Sequence, residues 1–245
     1  MRPAPPPRGG IIAAGEGSRL REAGWTMPKP LVPVAGVPLI ESAIRNFIAA
    51  HIASLVIIVN EQERACVDWV RSRFPDVDVR FIVKTTGSSL ESFVEVAASP
   101  GPGRMLISTV DAWCLPADFA RFVDAASRRP PEATVLAVTP FVADENPLWL
   151  NVDHAGRIQD LGGSSGTLVT AGMYVLSARA RTATPPPLGR LREFLAWLAR
   201  QGEPLYAEAI QTVVDVDRAS DVALAEALAH DAPPGAAVSP ARRRQ

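Results

Sequence analysis

The sequence predicts an α/β fold, with a Rossmann-like, doubly wound and mainly parallel sheet and a small antiparallel insertion. Short apolar runs rich in Val and Ile alternate with segments whose apolar residues recur at helical spacing. This alternation is typical of strands that are buried on both faces and joined by helices. It favours parallel neighbours connected by crossovers. In such sheets, ligands bind beyond the carboxyl ends of the strands.

Six apolar runs are predicted to be strands, at residues 10–14, 55–60, 79–84, 105–110, 134–139 and 169–176. A helix is predicted to start at Pro38, because proline suits the first turn of a helix. Two further helices are predicted at residues 62–74 and 88–98, each followed by a proline that stops it.

The stretch LWLNVDHAGRIQDL contains two short apolar runs around a turn at Ala155 and Gly156, which predicts the antiparallel insertion. With 245 residues and 47% hydrophobic content, the chain is long enough to bury a large core. A single domain is predicted at residues 9–230. The proline-rich start, residues 1–8, and the end, residues 231–245, are predicted to be disordered tails.

The composition argues against charged macromolecular partners. The 25 Lys and Arg residues are balanced by 26 Asp and Glu, so the net charge of −1 gives no long-range field for nucleic acid or an anionic membrane. We expect a cytoplasmic protein, since no apolar run reaches bilayer length and no secretion signal is recognisable. We expect it to be a monomer or a homodimer. Cys66 and Cys114 lack metal-ligand spacing and are interpreted as buried free thiols.

Two glycines and two cations follow the first predicted strand. Gly15 and Gly17 leave backbone N–H groups free to approach phosphate oxygens. The spacing matches neither the dinucleotide fingerprint nor the P-loop. Arg19 adds a positive charge, and Lys29 stands between two prolines that fix the backbone around it. We therefore interpret the segment as an anion-binding loop flanked by fixed cations.

The string AAGEGSRLREAGWTMPKPLVPVAGVPLIE resembles the signature of the nucleotidyltransferases that make nucleotide sugars and related activated alcohols, a family that includes sugar-1-phosphate nucleotidyltransferases and MobA-like NTP transferases. Every element of that signature is present, and the resemblance extends from Gly9 to about Ala229. It implies catalytic roles for Arg19 and Lys29. It implies nucleotide contacts by Ala13, Ala14, Gly15, Gly17, Ser18, Gly87 and Ser88.

The resemblance also implies a magnesium site and an acceptor site. MLISTVDAW places Asp111 at a strand end, where the family holds Mg²⁺. VVDVDRASDVALAEAL provides the second acid, Asp215, with Asp217 as a competitor for that role. Such acids suit Mg²⁺, which prefers one or two carboxylates together with substrate phosphates. Acceptor contacts are implied for Asn151, Thr170 and Gly172.

In this family, a substrate phosphate attacks the α-phosphorus of a nucleoside triphosphate, and pyrophosphate leaves. A phosphate monoester has a second pKa of about 6 and is already ionised near neutral pH, so no general base is needed. We therefore predict a Mg²⁺-dependent enzyme of the pyrophosphorylase type. It would transfer a nucleotide from a nucleoside triphosphate to a sugar 1-phosphate and form a nucleotide sugar.

Two segments depart from the sugar-activating members. RIQDLGGSSGTLVTAGMY lacks the second lysine that those members commonly carry, and Arg157 is the candidate substitute. KTTGSSLESF has some likeness to choline-phosphate cytidylyltransferases, although Ser88 and Ser89 are also interpreted as helix caps.

These departures leave three alternatives open. The first is CTP-dependent transfer to a phosphorylated alcohol such as phosphocholine. The second is a noncatalytic nucleotide-sugar sensor of the same fold. The third is a glycosyltransferase of related architecture, which would need closely spaced aspartates where STVDAW has only one.

Overall fold

The computed structural model describes residues 8–52, 54–141 and 147–231, and its centre is a nine-stranded sheet. In chain order the strands are β1 (Arg8–Ala13), β2 (Pro33–Val34), β3 (Val37–Pro38), β4 (Ser54–Val59), β5 (Asp78–Val83), β6 (Met105–Thr109), β7 (Ala112–Cys114), β8 (Thr134–Thr139), β9 (Trp149–Val152), β10 (Ile158–Gly163), β11 (Leu168–Leu176), β12 (Leu205–Ala209) and β13 (Val213–Asp215). Strands β2 and β3 form one separate two-stranded sheet, and β7 and β13 form another.

The central part of the large sheet is parallel. Its hydrogen-bonded order is β10-β9-β11-β6-β1-β4-β5, with β8 beside β11 and β12 beside β8. Strands β6, β1, β4 and β5 run parallel to one another, whereas β11 runs antiparallel to both β6 and β8. The parallel strands all end at one edge, where the first loop and Asp111 follow β1 and β6.

Helices cover both faces of the sheet. They are α1 (Ser18–Glu22), α2 (Leu39–Ala49), α3 (Arg64–Arg73), α4 (Ser89–Ala97), α5 (Pro116–Ser127), α6 (Ala178–Arg181), α7 (Leu191–Arg200) and α8 (Ala219–Asp231). One apolar core contains residues of α2, α3, α5 and α8, and the other contains residues of α4, α6 and α7. The predicted doubly wound α/β fold is therefore confirmed.

The long elements are found where the sequence predicts them. All six predicted strands are present, and the predicted antiparallel insertion is the β9–β10 hairpin. The predicted helices are α2, α3 and α4, although the first turn of the second is a 3₁₀ turn at Glu61–Glu63. The helices α1, α5, α6 and α7 and the strand β12 were not predicted. The two small sheets were not predicted either, because strands of two or three residues carry no periodic signal.

Two further predictions concern the ends of the chain and the two cysteines. The predicted tails lie outside the described residues except for Arg8, which belongs to β1, and Asp231, which ends α8. Cys66 and Cys114 are buried free thiols, as predicted. Among the described helices, none has both the length and the apolar character needed to cross a bilayer.

Candidate active site

The first loop owes its shape to Gly17. This residue adopts a left-handed φ of 61°, and a Cβ there would lie 2.8 Å from Cβ of Lys29. Any larger residue would therefore strain the backbone and push the lysine away. Ala13 ends β1, and Ala14 and Gly15 continue from it at the carboxyl edge of the sheet. Gly17 thus places the loop directly against the stem of Lys29.

Lys29 is the central cation of this edge. It begins a 3₁₀ turn, Lys29–Leu31, whose second residue is Pro30, and its side chain is only 6% exposed. The Nζ donates to Oδ2 of Asp111 at 2.6 Å and to Oδ1 of Asp217. A buried ammonium needs such partners, because burial without them would be costly.

Three aspartates meet around this lysine. Asp111 follows β6, Asp215 ends β13, and Asp217 lies two residues further on. Their carboxylates each offer an oxygen within 4.8 Å of the others. The antiparallel pairing of β13 with β7 produces this meeting, since it sets Asp215 opposite Ala112. Arg19 joins the group through Nη1, which lies 3.3 Å from Oδ2 of Asp217.

The ionisation of the cluster follows from its mutual contacts. Burial by itself lowers the pKa of Lys29, but Asp111 and Asp217 outweigh burial and raise it above its ordinary value. Burial likewise works against the charged form of Asp111, yet the neighbouring ammonium holds the pKa of this carboxyl below its usual range. At neutral pH Lys29 is therefore positive and Asp111 negative.

A cleft of about 580 Å³ opens beside the aspartates. Its polar and charged lining consists of Ser88, Ser89, Thr109, Asp111, Thr139, Thr170, Tyr174, Arg190, Arg192 and Asp215. Its apolar wall includes Phe141, Leu148, Val169, Leu191 and Leu195. A cleft of this size and mixed lining is typical of a small-molecule site.

Several residues predicted to bind substrates or the metal ion line this cleft. They are Gly87, Ser88, Thr170, Gly172, Asp111 and Asp215. Gly172 has a left-handed φ of 71°, and a Cβ there would lie 2.7 Å from Cβ of Ala112 and 2.8 Å from Oγ1 of Thr109. Only glycine lets β11 pass this close to the segment that carries Asp111.

Other predicted residues are placed differently. Asn151 does not line the cleft, and its Oδ1 accepts a bond of 3.2 Å from the backbone N of Thr167. Arg157 is exposed at the end of the β9–β10 hairpin and is also not part of the cleft lining. Ser88 caps α4, since its Oγ accepts from the backbone N of Glu91 at 3.1 Å, which confirms the capping interpretation of this residue.

Sequence reasoning did not identify the two arginines of the cleft. Arg190 precedes α7, and Arg192 lies in its first turn with its side chain half-buried. Within the described part of the chain, neither guanidinium forms an ion pair with an acid. No motif marks the segment GRLREF, so only its position beside the cleft identifies these residues.

Glu63 is a further residue of interest that no sequence motif marks. It is 7% exposed, and its Oε2 is buried without a hydrogen-bond partner among the described residues. Burial raises the pKa of Glu63 to about 7, although the charges of Arg21 and Lys29 oppose that shift.

Residues 9–181 match the MobA-like NTP transferase domain. The 2-aminoethylphosphonate cytidylyltransferase of Lancefieldella rimae is 32% identical over 91 residues, which cover 35% of this chain and 36% of that protein. The bifunctional IPC transferase and DIPP synthase of Rubrobacter xylanophilus is 26% identical over 242 residues, 89% of this chain and 51% of that protein. The chain spans about half or less of the length of these curated relatives.

The fold is also found among solved structures. The inositol-1-phosphate CTP transferase from T. maritima has a TM-score of 0.78 at 16% identity, and the match covers 94% of this chain and 99% of that one. Identity this low establishes a shared fold and leaves the chemistry to the site itself.

Proposed function

The chain belongs to the family of MobA-like NTP transferase domains, and from this premise we propose that it is a nucleotidyltransferase of the pyrophosphorylase type. It transfers a nucleotide from a nucleoside triphosphate to a phosphorylated small molecule and releases pyrophosphate. One observation carries this proposal. Lys29 and Arg19 lie in a cluster with three aspartates, two of which, Asp111 and Asp215, line a cleft large enough for a small acceptor.

The nucleotide is proposed to bind along the first loop. Ala13, Ala14, Gly15, Gly17 and Ser18 present backbone at the carboxyl edge of β1, and Gly17 brings that backbone against Lys29. Lys29 and Arg19 would then hold the triphosphate, where negative charge builds up as pyrophosphate leaves. Fixed cations at such a position lower the barrier because they need no rearrangement during the reaction.

The donor set fits magnesium. Asp111, Asp215 and Asp217 supply hard carboxylate oxygens that approach within 4.8 Å of one another, and Mg²⁺ prefers such ligands together with substrate phosphates. We propose Asp111 with Asp215, or with Asp217, as its holders. When bound, the ion would neutralise charge on the phosphates.

The acceptor is proposed to occupy the cleft, as a sugar 1-phosphate in the leading case. Thr170 and Gly172 line it, and Arg192 provides a half-buried cation without an ion pair to a described acid. A guanidinium is well suited to a phosphate, because its planar fork donates two parallel hydrogen bonds. We therefore assign the acceptor phosphate to Arg192, with Arg190 beside it. The already ionised phosphate would need no base from the protein.

A second candidate is CTP-dependent transfer to a phosphorylated alcohol. The described lining of the cleft contains no lysine, and the side chains that could bind ring hydroxyls there are mainly hydroxyls of Ser and Thr. A short acceptor requires fewer such partners than a sugar does. A cytidylyltransferase among the relatives supports the same candidate.

The decisive experiment is a panel of the four nucleoside triphosphates against sugar 1-phosphates, phosphocholine and aminoalkyl phosphonates, followed by pyrophosphate release. We expect one pair to react with Mg²⁺ and to fail with Asp111→Asn. Binding of a nucleotide without pyrophosphate release from any pair would instead identify a noncatalytic sensor and contradict the proposal.

A further inference from the structure

Lys29 occupies the position between two acids that the proposed magnesium site would use. Its ammonium donates to Oδ2 of Asp111 at 2.6 Å and to Oδ1 of Asp217, in a largely buried position. A divalent ion that shares these carboxylates must compete with the ammonium, because both cations need the same oxygen atoms. The lysine is therefore an obstacle to the metal as long as it keeps both contacts.

The local charges show how strong this obstacle is. Three aspartates bring three negative charges, and Lys29 and Arg19 return two positive ones. These five side chains together have a net charge of −1, so they attract a divalent ion less strongly than the three carboxylates alone would. If the ammonium of Lys29 turns to another anion, the carboxylates regain a net charge of −2 and free oxygen ligands.

A triphosphate bound on the first loop can be that other anion. Gly17 brings the loop proposed to bind phosphates against the stem of Lys29, with only 2.8 Å between a Cβ at residue 17 and Cβ of Lys29. A triphosphate bound on this loop would lie close to the same ammonium, and its oxygens would compete with Asp111 and Asp217 for it.

Resting on the proposed function, we propose that Lys29 is a built-in counter-ion that keeps divalent metal off Asp111 and Asp217 until a triphosphate takes over its ammonium. Metal then loads together with the nucleotide or after it. A bare divalent ion binds the protein poorly. The inference assigns Lys29 control over the order of loading, in addition to contact with the triphosphate.

The test measures Mn²⁺ binding to the full chain by calorimetry, without nucleotide. The wild type should bind Mn²⁺ weakly, and Lys29→Met, which keeps most of the stem beside Gly17, should bind it roughly tenfold tighter or more. Mn²⁺ should also raise the Tm of Lys29→Met more than that of the wild type. Adding a nonhydrolysable triphosphate should tighten Mn²⁺ binding to the wild type.

Lys84→Met is the matched control. Lys84 is the only other lysine of the sequence, and it also pairs with two carboxylates, those of Glu91 and Glu95, but at an exposed position. Its removal should leave Mn²⁺ affinity unchanged. The double variant Lys29→Met with Asp111→Asn should lose the gain, because the gained ion must sit on Asp111.

Equal Mn²⁺ affinity in the wild type and Lys29→Met would overturn the inference, as would a gain that survives Asp111→Asn. If Lys29→Met fails to fold, Lys29→Gln replaces it, since the carboxamide still donates to one carboxylate, and the same gain is required. These measurements involve no turnover. Tighter Mn²⁺ binding by Lys29→Met, with no pyrophosphate release from the wild type, would contradict the proposed function alone. Pyrophosphate release from the wild type, without tighter Mn²⁺ binding by Lys29→Met, would contradict this inference alone.

Discussion

Lys29 and Arg192 are both cations of the proposed site, but their surroundings are opposite. Lys29 is buried and bonded to Asp111 and Asp217, so its charge is already neutralised within the protein. Arg192 is half-buried on the cleft wall and has no ion pair with a described acid. We call Lys29, Arg19 and the three aspartates the nucleotide corner, and the cleft lining that carries Arg190 and Arg192 the acceptor wall. The charges of the nucleotide corner must exchange partners when a triphosphate binds, whereas the acceptor wall presents a charge that is available to an incoming anion.

The contrast extends to how each region is encoded. Lys29 belongs to a contiguous motif, and its distant partners come to it at the carboxyl edge of the sheet. The acceptor wall is assembled from β8, β11 and the start of α7, and no sequence motif marks its two arginines, Arg190 and Arg192. The paired cation Lys29 can therefore be recognised from the sequence, whereas the cleft arginines cannot.

The largest expected effect comes from substitutions within the nucleotide corner. Asp111→Asn and Lys29→Met should each lower the rate of pyrophosphate release by about a hundredfold to a thousandfold, as removal of one preorganised group does in other enzymes. Steady-state kinetics with the reactive pair measures this, with circular dichroism to check folding. Lys84→Met serves as control, and near-wild-type turnover in Asp111→Asn or Lys29→Met would contradict the assignment.

The second-largest expected effect distinguishes the roles of Asp215 and Asp217. Asp217→Asn should raise both the Mg²⁺ requirement and the KM for the triphosphate, roughly tenfold or more, because Asp217 also bonds to Lys29 and Arg19. Asp215→Asn should raise mainly the Mg²⁺ requirement, since the Asp215 carboxylate is one of the three that approach within 4.8 Å of one another. Titration of Mg²⁺ at saturating substrates distinguishes them, and a variant with unchanged Mg²⁺ dependence removes that residue from the metal site.

A smaller effect tests the acceptor wall. Arg192→Ala should raise the KM for the acceptor by about tenfold and leave the KM for the triphosphate unchanged, because a charge-assisted bond to phosphate is lost. Initial rates over both substrate concentrations provide the readout. Arg200→Ala is the matched control, since Arg200 is exposed at the other end of α7. A rise in the KM for the triphosphate instead would place Arg192 on the nucleotide side.

The smallest effect concerns Glu63, whose charge is influenced by Arg21 and Lys29 and whose buried Oε2 has no hydrogen-bond partner among the described residues. Its pKa of about 7 in the folded protein exceeds the ordinary value of 4.5, so the folded state binds the extra proton between these values. Stability should therefore fall as the pH rises from about 4.5 to about 7.

Glu63→Gln removes this penalty. It should raise the free energy of unfolding by about 1 kcal/mol at pH 8 and leave it nearly unchanged at pH 4.5, as measured by urea unfolding. Glu61→Gln, on the same 3₁₀ turn but exposed, should show no such dependence on pH. An equal gain at both pH values would mean that Glu63 is not protonated in the folded state below pH 7.

Much of the site follows from the sequence, but not its closest contacts. The motif identifies Lys29, and in the structure its Nζ donates a hydrogen bond to Asp111, another residue identified from the sequence. Asp217, which the sequence offers only as a competitor to Asp215, is the second acid that bonds to Lys29. Asn151 shows the opposite case, because its side chain accepts from Thr167 and does not line the cleft that the acceptor is proposed to occupy.

By itself, the sequence determines the alternation of strands and helices, the glycine-rich loop and the chemical character of the nucleotide corner. These depend on local periodicity and on backbone freedom at single residues, which neighbouring residues encode. The tertiary structure alone decides which aspartates meet and which arginines face the cleft. The pairing of the three-residue strands β7 and β13 brings Asp215 beside Asp111, and strands that short have no repeating pattern that could reveal their partners.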